Sequence, residues 1–194
     1  MTLLLGVFLA SGFALEFGGG AAMAEERYGS MQAAPALSIQ LFRDDSFWTA
    51  GVHALLPVGS PGGARGAALA PPNGGLNAWG VFAEGGLHTS GATSLELRVG
   101  AGIGRMVLVQ CDCSENEPLA GDIGPALTAS VRALGRVSHG IRLGLELGTV
   151  LFTNLSHASG SPGLPGYSSP PAESGLVHPA FHLLAALSWD LGTR

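Results

Sequence analysis

From Ile141 to Phe152 the chain reads IRLGLELGTVLF, and apolar and polar residues alternate almost one by one. Ile141, Leu143, Leu145, Leu147 and Leu151 fall on one parity, and Arg142, Gly144, Glu146 and Gly148 on the other. A period of two belongs to a β-strand whose two faces meet different surroundings. The same alternation runs through Leu5–Gly18, Pro35–Arg43, Phe47–Val58, Leu76–His88, Ser94–Gln110, Ile123–Arg136 and Val177–Leu191, and the opening segment extends to Leu155. Eight such segments without a sustained 3.6-residue period predict an all-β fold. The 194 residues fit a single domain, 1–194.

The expected connections alternate in length. Residues 44–46, 89–93 and 138–140 are short turns, whereas 19–34, 59–75, 111–122 and 156–176 are long and rich in Gly, Pro, Ser and acidic residues. Short turns at one end and long loops at the other describe an up-and-down barrel that crosses an outer membrane. A Greek-key sandwich gives no reason for that regularity.

Composition then decides which face meets which surroundings. Only 12% of residues are charged, and none is lysine. Soluble all-β domains need charged outer faces and charged edge strands. The more polar parity carries Glu16, Gln40, His53, Glu84, Glu96, Arg98, Thr128, Ser130, Arg132, Arg142, Glu146, His182, Ser188 and Asp190, interspersed with glycines. Glycine is a poor strand residue on an open surface, but it suits a narrow barrel interior. The leucines are therefore expected to face lipid. Glu16, Glu84, Glu96, Arg98, Arg132, Arg136, Arg142, Glu146 and Asp190 are expected to form an ion-pair network that fills the lumen and leaves no wide pore. Trp48, Trp79 and Trp189 share the apolar parity and fall near segment ends, as an interfacial aromatic girdle would.

On this pattern of eight alternating segments and alternately short and long connections, the chain resembles the small outer-membrane β-barrel superfamily of Gram-negative bacteria, of the OmpA/OmpX general type. The resemblance implies an eight-stranded antiparallel transmembrane barrel in the outer membrane, monomeric and inserted by the barrel-assembly machinery. Its partners would be outer-membrane lipids and lipopolysaccharide, and its role structural or surface-interacting rather than enzymatic. Members usually end in an aromatic residue; the ending SWDLGTR leaves Trp189 and Leu191 for that part. The competing reading is a soluble β-sandwich or lipocalin-like binder.

Residues 1–24 admit a second reading as a signal peptide, with AMA before Glu25 as the cleavage site. Against it, Glu16 interrupts the apolar stretch, the first basic residue is Arg27, and removal would leave seven strands. The strand reading is favoured.

Other chemistry is sparse. A net charge of -5 without a basic stripe offers nothing to nucleic acid. Cys111 and Cys113 suit a loop disulfide or free thiols, and without a nearby His they make a poor zinc site. No metal or cofactor is expected. In NLSHASGSPG, His157 and Ser159 stand two apart, with Glu173 downstream. This is similar to the His-x-Ser arrangement of the outer-membrane lipid A deacylase family, which would make His157 the base, Ser159 the nucleophile and Glu173 the orienting acid. Gly160 replaces that family's Asn after the Ser.

Overall fold

The computed structural model describes residues 12–25, 31–44, 47–57, 75–109, 118–121, 123–157 and 174–191. They form β1 (Phe13–Glu25), β2 (Met31–Asp44), β3 (Trp48–Pro57), β4 (Gly75–His88), β5 (Thr93–Val109), β6 (Pro118–Gly121), β7 (Gly124–Ser138), β8 (Ile141–His157) and β9 (Ser174–Asp190). All pairings are antiparallel, and β1 joins β9 to close the ring. The short β6 lies between the tips of β5 and β8, where β7 lies further along the same two strands. Together β6 and β7 make one interrupted stave, so the barrel has eight. At about 3.3 Å per residue and a tilt near ~45°, even the ten residues of β3 rise about 23 Å.

The largest departures from the sequence expectation concern β1, β2 and β6. The first strand is Phe13–Glu25 rather than Leu5–Gly18, and β2 begins at Met31 rather than Pro35, so most of the expected loop 19–34 is paired strand. The run GGGAA lacks strand-forming side chains and reads as a loop, yet it pairs with β2 on one side and β9 on the other. Backbone pairing outweighs weak propensity where both neighbours are in place. β6 falls inside the expected loop 111–122, because Pro118 and Gly121 read as turn residues. The connection after β7 is the two-residue turn His139–Gly140, with Gly140 at φ 78° in the left-handed region that tight hairpins use. Residues 1–11 and most of the long connections lie outside the described residues.

The two faces are sorted in the reverse of a soluble protein. Along β8, Leu145 and Leu147 are 60% and 58% exposed, and Glu146 between them is 1% exposed. Leu95, Leu97 and Val99 alternate in the same way with buried Glu96 and Arg98 on β5. The apolar residues surround the barrel, and the charges lie within it.

The interior has two layers. Toward the short turns it is mainly polar, with Phe42 and Leu134 also fully buried there. Toward the long connections every stave contributes apolar side chains: Ala22 and Ala24 on β1, Ala36 on β2, Leu55 on β3, Phe82 on β4, Met106 and Leu108 on β5, Ala126 on β7, Phe152 and Leu155 on β8, and Ala180 and Leu184 on β9. Sequence reading singles out only the polar and glycine positions of this face. Phe82 and Phe152 share the parity of Glu84 and Glu146, which is the available signal.

Candidate functional site in the barrel interior

The polar layer is assembled by register. Facing pairs Glu96 and Arg132, Arg132 and Glu146, and Glu16 and Gln40 bring inward side chains to one height on neighbouring strands. Closure of the ring then places β1 four staves from β5 in either direction, so Glu16 and Arg98 come from opposite walls.

They meet across the lumen. Arg98 Nη1 donates to Glu16 Oε2 (2.9 Å) and Gln40 Oε1 (2.7 Å), and its Nη2 donates to Glu96 Oε2 (2.7 Å). Arg132 Nη1 donates to the same two carboxylates, at 2.6 Å to Glu16 and 3.1 Å to Glu96. The result is a closed ring of two guanidinium groups and two carboxylates, with all four residues about 1% exposed. Charge-assisted bonds of this kind are short and strong, and they offset the cost of taking four charges out of water. The Arg98 guanidinium also lies 3.7 Å from the centre of the Phe42 ring, a cation–π contact.

Glu146 extends the ring. Its Oε2 accepts from Gln40 Nε2 (2.9 Å) and lies 3.1 Å from Arg132 Nε, and its Oε1 is 3.0 Å from His182 Nε2. Gly148 makes room for that imidazole, since a Cβ there would collide with the ring. Glu84 pairs with His53 Nδ1 at 2.9 Å rather than with an arginine. The two imidazole centres are 6.2 Å apart. Parity places Gln40, His53 and His182 on the inward face, but pairing by formal charge alone leaves them outside the network.

Of the remaining residues assigned to that network, Arg142 and Asp190 form a 3.1 Å pair at the short-turn mouth, partly exposed, with Arg142 Nη1 4.0 Å from Glu96. Arg136 does not join them. It is exposed beyond the end of the interior, in register with Arg142 across β7 and β8, just before the register shift that closes the hairpin. The inward parity is lost where the strand leaves the barrel wall.

Trp48, Trp79 and Trp189 all lie on the outward parity, none of them buried. Trp48 begins β3 beside the short turns with Arg43 6.0 Å from its ring, Trp189 is the penultimate residue of β9 opposite Ile141, and Trp79 lies toward the long connections opposite Arg105. His157 is the last residue of β8. Ser159, Glu173, Cys111 and Cys113 lie outside the described residues. Among the described residues, no group of three or more His, Cys, Asp or Glu side chains is arranged to hold a metal ion.

Comparison by fold finds a known relative in shape. The crystal structure of Neisserial surface protein A superposes with a TM-score of 0.56 over 92% of this chain and 97% of that one, at 10% sequence identity. The chain is a closed eight-stranded antiparallel β-barrel. No protein-family model matches it, and no curated protein sequence does. At that identity the likeness concerns the fold alone, so the chemistry has to be argued from this chain's own residues.

Proposed function

We propose that this protein is a monomeric outer-membrane barrel of a Gram-negative envelope, with a structural or surface-interaction role rather than an enzymatic one. The observation that carries the reading is the inverted sorting of its faces. Exposed Leu145 and Leu147 flank buried Glu146 on one strand, which is unfavourable in water and favourable in a bilayer. The fold shared with Neisserial surface protein A agrees with this reading. The lumen is filled by side chains: Arg98 and Glu16 reach each other from opposite walls, and an eight-stranded barrel is only wide enough for its own side chains. Trp48 and Trp189 would mark the inner interface and Trp79 the outer one. The partners would be outer-membrane lipids and lipopolysaccharide, with the barrel-assembly machinery acting during insertion.

The first test is extraction and mobility. The protein should leave envelopes only with detergent, and unboiled samples should migrate differently from boiled ones on a denaturing gel. A chain that is soluble without detergent and unchanged by boiling is not a membrane barrel.

Orientation is tested separately, in a background with Cys111 and Cys113 replaced by Ser. Arg65→Cys, between β3 and β4, should react with an impermeant maleimide on intact cells. Ser90→Cys, in the turn between β4 and β5, should react only after the outer membrane is opened. Labelling of residue 90 on intact cells would reverse the orientation.

A further inference from the structure

Outer-membrane barrels ordinarily keep a polar interior, whether open or filled. This one changes character part-way along its axis. Above the ion-pair cluster, toward the long connections, all eight staves supply apolar interior groups, and the larger ones, Leu55, Phe82, Met106, Phe152, Leu155 and Leu184, are each at most 1% exposed. The rings have space made for them. A Cβ on Gly104 would fall 2.7 Å from Phe152 Cε1, so that glycine is what lets the Phe152 ring fill the lumen. Phe82 forms the floor of the layer, its ring centre 5.8 Å from that of His53.

Below that floor the chemistry is different. The buried carboxylates are Glu16, Glu84, Glu96 and Glu146, and the buried guanidinium groups are Arg98 and Arg132. His53 faces Glu84 and His182 faces Glu146, so every buried carboxylate of this level has an arginine or histidine partner. The cluster reaches the short-turn mouth through Arg142, which lies 4.0 Å from Glu96 and 3.1 Å from the partly exposed Asp190.

We infer that the permeability barrier of this barrel is the apolar layer rather than the ion-pair cluster beneath it. The inference rests on the membrane-barrel reading. Apolar constrictions stop ions because water does not wet them. Phe82 and Phe152 are the side chains that prevent passage.

Planar-bilayer recording in a KCl gradient tests this with three proteins, each first shown to be heat-modifiable in lipid vesicles. Wild type should be silent. Phe82→Ala/Phe152→Ala should give discrete conductance steps absent from wild type. Glu16→Gln/Arg98→Met, which removes one cation and one anion together, should remain silent because the apolar layer is intact. A folded, silent Phe82→Ala/Phe152→Ala barrel overturns the inference, as does conduction by Glu16→Gln/Arg98→Met. If the double truncation does not fold, the Glu16→Gln/Arg98→Met recording decides alone: silence supports the apolar barrier, and conduction refutes it. A wild-type chain that never inserts refutes the membrane reading, and this inference with it.

Discussion

Arg132→Met should cost about 3–5 kcal/mol of barrel stability, because it leaves buried carboxylates without their counter-charge. Arg132 is 1% exposed and touches Glu16, Glu96 and Glu146 at once. Equilibrium urea unfolding of protein folded into vesicles, followed by gel mobility, measures the loss. Adding Glu96→Gln to Arg132→Met removes a carboxylate along with the guanidinium and should recover a large part of it. Exposed Arg136 is the control: Arg136→Met should stay within about 0.5 kcal/mol of wild type. If Arg132→Met unfolds with the wild-type midpoint, the cluster does not hold the walls together.

Leu145→Arg probes the opposite face and should destabilise the vesicle-embedded barrel by about 2–4 kcal/mol, the cost of a guanidinium near the bilayer midplane. Leu145 points outward from β8, the fifth residue from its short-turn end, between Ala133 on β7 and Ala185 on β9, and is 60% exposed. If water were the surroundings, an arginine at so open a site would be close to neutral. The same unfolding assay therefore reads which solvent the leucines meet. Unchanged stability of Leu145→Arg in vesicles would mean that the outward face does not contact hydrocarbon.

The contrast between Arg132 and Arg136 shows where sequence reading reaches its limit. Both arginines stand on the same parity of the same strand, four residues apart, and a period-two argument cannot separate them. Arg132 faces Glu146 across β7 and β8 within the wall, whereas Arg136 lies just before the register shift at the hairpin, outside it. Strand ends are set by how neighbouring strands stagger, which no single segment contains. The same reason explains β1. GGGAA has no local preference for a strand and becomes one because β2 and β9 hold it from both sides.

Histidine escapes sequence reading for a different reason. His53 and His182 carry no assured charge in a composition count, so a search for opposite charges passes over them, although parity already places them on the face of Glu84 and Glu146. The apolar layer escapes in the same way. Phe82 and Phe152 look like ordinary strand residues until the interior is seen to be divided along its axis.

Alternation along each segment determined by itself that the chain is all-β, that it has eight strand segments, and that its leucines and its charges belong to opposite faces. Those are properties of residues i and i+2, which every strand fixes for itself. Only the tertiary structure decided which charges meet, that Glu16 reaches Arg98 from the opposite wall, and that the interior is ion-paired at one level and apolar at the next. Those depend on stagger and ring closure, which bring together residues as far apart in sequence as Glu16 and Arg132. A narrow closed ring leaves its inward side chains no other partners than one another.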